Sequence, residues 1–379
     1  MDLTSKERDR RWINLRTIMK RRDVDVVIAF SDFGDQASLQ RYISNFRSSY
    51  DYVASLLYRE EGCDIIMTHP GGIGIAKQIS WTTDVFPMAI PNSMKGHNSG
   101  KGPSVGGQIA NRLAEHNVQR VGVTGMEYFP VGWKETIEAV LPNVEFVDVW
   151  DDVHLLRLIK GDEEQDLVRE ACRISDEAWK QMPDIVKPGR KRYEVLGDIE
   201  HILRCHGCED SFNMCMSLPM GKERFDRSPY SALPIEEDSV YLIEVSPRYL
   251  GYFGQQTGLV STGPLPEAMR KAYDSVNRAR DAALEMMRPG VDLIDVGNVV
   301  DAQLRNDGYQ PQPSFGHLVG LELEDFHIGN GPLILQDGMT IIVHPLLADH
   351  PALMRADTYL ISASGPERLT TGSMEPLEL

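Results

Sequence analysis

The patterning of the chain changes once, near residue 160, and that change limits the folds open to it. Before it, short β-branched runs alternate with helical stretches. A basic amphipathic helix within residues 8 to 30 leads into DVDVVIAF, and further helix and strand signals follow at VASLLYREEGCDIIMTH, GGQIANRLAEH, VQRVGVTG and NVEFVDVW. This alternation predicts an α/β domain built on a mostly parallel or mixed sheet. From Asp162 the sequence EEQDLVREACRISDEAWKQM reads as a long acid-started helix with an apolar stripe at Leu167, Ala171, Ile174 and Ala178. Helices at RYEVLGDIEHILRCHG, PEAMRKAYDSVNRARDAALEMM and PGVDLIDVGNVVDAQLRNDG follow, and strand-like segments at FGHLVGL, GMTIIVHPLL and TYLISASG close the chain. That order predicts an α+β domain, an antiparallel sheet with helices on one side. The expected division is residues 1 to 155 and 156 to 379.

A chain of 379 residues with 42% hydrophobic content can bury two substantial cores. Its formal charge of -17 disfavours nucleic acid and anionic membranes as partners. The opening MDLTSKERDRRWINL has no apolar signal core and no run approaches a membrane span, so a cytoplasmic protein is expected. Five cysteines, including the CHGC of residues 205 to 208, are too few and odd in number for a disulfide framework.

The stretch YLIEVSPRYLGYFGQQTG, residues 241 to 258, reads as strand, tight turn through Gly251 and Tyr252, and second strand. With LRLIKGDEEQDLVREACRISDEAW (156 to 179), FGHLVG (315 to 320), GMTIIVHP (338 to 345) and RADTYLISASGPERLT (355 to 370) it falls into an ordered set of five. The set resembles the creatinase, aminopeptidase P and prolidase family. The implied fold class is α+β, with a C-terminal pita-bread domain preceded by a smaller α/β creatinase-type N-terminal domain. RYISNF (41 to 46) resembles the segment before the N-domain loop, which in that family reaches the partner's site in a homodimer. Arg47 is thereby a candidate substrate contact in trans, or else a solvated surface arginine.

In the family's metallopeptidases two Asp, one His and two Glu hold two divalent ions. The resemblance assigns those positions here to Glu244, Gln255, His317, His344 and Ala356, so a single carboxylate survives. Two ions would leave a large uncompensated charge on such a set, and the expectation is an enzyme without a metal or other cofactor. The runner-up is one divalent ion on Glu244, His317 and His344. Read as acid/base parts, His317 and His344 titrate near neutrality, Glu244 and Glu324 orient them, and Gln255 donates an amide hydrogen bond. Arg227 and Arg355 are candidate clamps for a substrate carboxylate. His327 and Tyr252 complete the candidate substrate contacts, although Tyr252 also suits an architectural role beside Gly251.

These parts lead to an expected function: a metal-independent, creatinase-like hydrolase that cleaves a C–N bond of a small polar, carboxylate-bearing substrate by histidine-centred acid/base catalysis. A lyase or decarboxylase in the same pocket is the alternative within enzymes. A non-catalytic module that binds peptides or small molecules is the alternative outside them.

Overall fold

A computed structural model describes residues 3–31, 38–47, 52–88, 103–218, 232–312, 314–329, 331–350 and 353–379. The chain divides into two compact units, Met1–Arg157 and Leu158–Leu379. Among the described residues no helix is long and apolar enough to cross a membrane.

The first unit carries helices α1 (Ser5–Arg22), α2 (Ser38–Ser44), α3 (Ile73–Ile79), α4 (Val105–Glu115) and α5 (Val131–Val140), with α6 (Trp150–Leu158) at its end. Its strands are β1 (Val26–Ser31), β2 (Val53–Tyr58), β3 (Cys63–Met67), β4 (Val85–Pro87), β5 (Arg120–Val123) and β6 (Glu145–Asp148), in the order β4-β3-β2-β1-β5-β6. β1 runs antiparallel to β2 and parallel to β5, so the sheet is mixed. Its apolar runs are buried on a core that includes Ile28, Leu56, Ile109 and Val121. Thr4 starts α1 by accepting a hydrogen bond from the Lys6 N–H.

The second unit begins with α7 (Asp162–Trp179), α8 (Met182–Ile185) and α9 (Arg192–Cys205). Strands β7 (Asp210–Leu218), β8 (Val240–Tyr249), β9 (Tyr252–Phe253) and β10 (Gln256–Ser261) follow, then α10 (Glu267–Met286) and α11 (Leu293–Asn306). The chain closes with β11 (Pro311–Gln312), β12 (Gly316–Leu318), β13 (Thr340–Val343), β14 (Leu346–Leu347), β15 (Ala356–Ser362), β16 (Gly365–Arg368) and β17 (Leu377–Glu378). The main path of the sheet is β12-β13-β15-β10-β8-β7, antiparallel at every step.

The apolar stripe of α7 is buried as its spacing predicts, and Ile174 and Ala178 pack with α9 against Ile243, Val245 and Val260. α10 and α11 cover the same sheet further along, where Val276 and Val300 join Ile341, Val343 and Tyr359. Burial of these side chains is the main source of stability here, at roughly 1.5–3 kcal/mol for each fully buried aliphatic residue.

A charged knot fastens the helix-covered face to the C-terminal turn. The fully buried Asp357 accepts from Arg355 Nε at 2.9 Å and Nη2 at 2.7 Å, from Arg368 Nη2 at 2.9 Å and from the Thr370 hydroxyl at 2.6 Å. Several donors around one carboxylate offset its desolvation, which a single partner would not do.

Two glycines are required by geometry. Gly251 turns the chain between β8 and β9 at φ +99°, and Gly316 enters β12 at φ +134°. A Cβ on Gly316 would lie 2.1 Å from the Ile342 carbonyl oxygen, closer than any side chain allows. Gly316→Ala therefore combines a strained backbone with a collision inside the sheet. It is expected to cost at least ~2 kcal/mol, read as a lower urea midpoint of the second unit. An unchanged midpoint would contradict the close β12–β13 approach.

Candidate active site

Side chains alternate between faces along a strand, so residue parity decides which side chains share the face of Glu244. Thr257 pairs with Glu244 on one side and with Ala356 on the other. One step beyond the Val343–Asp357 pair, the same register sets His344 beside Ala356. Glu244, Thr257, Ala356 and His344 therefore form one row across four strands. Gln255 lies two residues before Thr257, and His317 pairs with Ile342, two residues before His344. A small apolar cluster of Phe253, Val319, Ile342 and Ala356, which contains no helix residue, borders the row.

Glu244 is the only carboxylate in this row, and it is 3% exposed. Its Oε1 accepts from the Gln255 amide and, at 3.1 Å, from the Ser246 hydroxyl. Burial, reinforced weakly by the charge of Glu324, pushes the carboxyl up to about 7 despite these bonds. The backbone of Gln255 is fixed by Thr358, whose hydroxyl receives the Gln255 N–H at 2.9 Å and donates to its carbonyl at 3.0 Å.

The His317 and His344 rings meet edge to face with centroids 5.2 Å apart, and His327 approaches His317 at 5.7 Å. His317 Nδ1 lies 3.2 Å from the Leu318 carbonyl, and the backbone of Leu323 is a second hydrogen-bonding neighbour of the ring. Glu324 and His327 pair at 3.3 Å with their side chains 58% and 36% exposed, so they sit at the rim.

Burial lowers His317 to about 4 and, with the neighbouring ring, His344 to about 3. This corrects the expectation that the histidines titrate near neutrality. Both are uncharged at pH 7, and the group poised there is Glu244.

Other expected contacts fall elsewhere. Arg355 neighbours Ala356 in sequence and so takes the opposite face, where it is bound to Asp357 and cannot clamp a substrate carboxylate. Tyr252 is 1% exposed and its hydroxyl donates to Glu164 at 2.7 Å, fastening β9 to α7. Arg47 is half-buried in the loop after α2 of the first unit. Arg227 lies outside the described residues. Ser246, Thr257 and Thr358 were not singled out as site residues, yet period-two counting from Glu244 and Gln255 reaches the first two directly.

Comparison with known proteins settles the lineage. Residues 166–363 match the model of metallopeptidase family M24, and residues 11–159 match the creatinase/prolidase N-terminal domain. The chain belongs to metallopeptidase family M24. Among its M24 relatives, an Xaa-Pro dipeptidase of Pyrococcus horikoshii is 26% identical over 264 residues, 65% of this chain and 72% of that protein. An uncharacterized peptidase of Bacillus subtilis is 25% identical over 279 residues, 70% of this chain and 77% of that protein. The crystal structure of the prolidase from Pyrococcus horikoshii aligns with TM-score 0.78 at 22% identity, covering 96% of this chain and 99% of that one. A prolidase from Thermococcus sibiricus aligns at 0.80 and 19%, covering 98% and 99%. The two-domain creatinase and pita-bread plan is the one these structures share.

These findings overturn the expectation of a metal-independent, creatinase-like enzyme without a cofactor. Family M24 is one of metallopeptidases, and the relatives from Pyrococcus horikoshii and Pyrococcus furiosus are named Xaa-Pro dipeptidases. The side chains of this row nevertheless do not fit a pair of metal ions. Ala356 offers a methyl group, the Gln255 amide is turned to Glu244, and one carboxylate faces about four positive charges. Among the described residues no group of three or more His, Cys, Asp or Glu side chains is placed to hold an ion, so the single-ion set of Glu244, His317 and His344 is not formed either.

The buried histidines contribute to the acid limb of the fold's stability. Their folded-state values lie below the ordinary 6.5, so the folded chain resists protonation that the unfolded chain accepts. Their contribution is fully present above pH 6.5 and is lost as pH falls toward 4. One such histidine is worth on the order of 3 kcal/mol across that window. Glu244, raised from 4.5, runs the other way: its contribution is full below pH 4.5 and is lost as pH rises to 7. His344→Gln should therefore flatten the acid limb of urea stability between pH 6.5 and 4. An acid limb as steep as the parent's would contradict a neutral, buried His344.

Proposed function

We propose that the protein is a hydrolase that cleaves the peptide C–N bond of a short peptide, with the bond lying against Glu244, His317 and His344. The observation that carries this reading is that the M24 match covers the unit in which those three side chains share one sheet face. The names of the relatives, Xaa-Pro dipeptidase, make peptides of the Xaa-Pro type the first substrates to test.

In this reading Glu244 is the principal acid/base. A carboxyl held near 7 is half ionised at neutral pH, so it can take a proton from attacking water and return it to the leaving nitrogen. The Gln255 amide and the Ser246 hydroxyl, both on Oε1, fix its orientation and leave the second oxygen to face substrate. Neutral His317 and His344 present ring nitrogens as hydrogen-bonding walls, and burial excludes bulk water. Glu324 and His327 form the rim over which a peptide enters.

The test is a panel of Xaa-Pro and other dipeptides incubated with the full chain, with and without added divalent cations, with released amino acid measured. The reading predicts release from at least one Xaa-Pro peptide. It also predicts a fall in kcat of ~10²-fold or more in Glu244→Gln, together with loss of the limb of the pH–rate profile near 7. No release from any peptide under any cation condition would refute it.

A further inference from the structure

The Arg355 guanidinium, which faces away from the row of Glu244, borders a second cavity. In the register that pairs Thr257 with Ala356, Gly258 stands beside Arg355, and both belong to the opposite face of the sheet. A cavity of about 220 Å³ opens there, with Arg355, Gly258, Trp179 and Asp176 among the residues that line it and the exposed Lys180 and Glu375 in its outer wall.

The inner walls are held by bonds of their own. Arg355 gives Nε and Nη2 to Asp357 at 2.9 and 2.7 Å, and Asp176 receives the Thr371 N–H at 2.9 Å and the Thr371 hydroxyl at 2.8 Å. Trp179 Nε1 donates to the Gln256 carbonyl at 3.3 Å, which fixes the indole as a wall. Arg355 Nη1 is left over. Among the described residues it has no hydrogen-bond partner, on a residue only 2% exposed. A Cβ on Gly258 would lie 3.1 Å from that nitrogen and 2.9 Å from Trp179 Cη2, so the absence of a side chain at 258 keeps Nη1 open to the cavity. Buried donors are paired as a rule, and this one lacks an acceptor.

The chemistry of the occupant follows from the walls. A carboxylate suits Nη1, because hydrogen bonds between charged partners are the strong ones. Asp176 and the Glu375 carboxylate line the same space, and Glu375 has no partner among the described residues, so a ligand with net negative charge would be repelled as well as bound. A purely apolar ligand would leave Nη1 unpaired. A zwitterion answers both charges, with its carboxylate at the inner end and its ammonium toward Glu375, and the indole face of Trp179 covers its apolar part. The volume falls below the ~300–1,000 Å³ of sites for larger ligands, which limits the occupant to about one amino acid.

We propose that this cavity is a binding site for a free α-amino acid, on the face of the sheet opposite Glu244. The proposal holds whether or not a peptide is the substrate. The two sites lie back to back across a single layer of sheet, since Gly258 and Arg355 adjoin Thr257 and Ala356 in sequence.

The test is a thermal-shift screen of the full chain against the common amino acids at millimolar concentration, followed by isothermal titration with the strongest binder, its N-acetyl derivative and its amide. At least one amino acid should raise Tm, and each derivative, lacking one of the two charges, should bind at least ~tenfold more weakly. Gly258→Ala, which crowds Nη1, should abolish the binding. Glu375→Gln, at an exposed position where folding is not at stake, should weaken the amino acid several-fold and leave its N-acetyl derivative unchanged, and Glu244→Gln should bind as the parent does. Where Gly258→Ala lowers the urea midpoint, Glu375→Gln decides alone. A screen in which no amino acid raises Tm overturns the proposal, as does equal affinity for the amino acid and its two derivatives. Binding lost in Glu244→Gln and kept in Glu375→Gln overturns it too, because the amino acid would then occupy the other face.

Discussion

The register of β8, β10 and β15 with the end of β13 is the constraint on which the rest of the second unit depends. Because successive side chains point to opposite faces, one register sets Glu244, Thr257, Ala356 and His344 in a single row and sends Arg355 and Asp357 to the other side. A slip by one residue in β15 would bring the Arg355–Asp357 pair into the site and put Ala356 under the helices. The knot of Asp357 with Arg355, Arg368 and Thr370 opposes that slip, since those donors can be satisfied on the helix-covered face alone. Architecture and site are therefore specified by the same alternation.

The two faces divide the electrostatic work. On one face the buried carboxylate of Asp357 has two guanidinium groups for company. On the other face the buried carboxyl of Glu244 has only an amide and a hydroxyl for company, and the nearby rings are neutral. Desolvation without a counter-charge is what holds Glu244 near neutrality.

Much of this was legible in the sequence. The ordered motifs named Glu244, Gln255, His317, His344 and Ala356, which strand register gathers on one face, and the stripe of α7 marked its buried face correctly. What failed was reasoning by proximity in sequence. Arg355 adjoins a site position and for that very reason faces away from it, and Tyr252, in the turn itself, binds Glu164 of a helix. Thr257 was not singled out, although its side chain shares the face of Glu244. The protonation states were beyond reach, because they depend on the depth of burial that tertiary packing alone determines. The missing ligands in turn suggested a creatinase-like relative, whereas membership of M24 and the Xaa-Pro dipeptidase relatives lead to peptides.

The most direct measurement is a crystal structure of the full chain with a non-cleavable dipeptide analogue in which the scissile amide is replaced by a methylene amine. The account predicts the analogue bound on the sheet face of Glu244, His317 and His344, with the scissile-position nitrogen facing Glu244. An analogue bound away from this face of the sheet, or with that nitrogen turned away from Glu244, would contradict it.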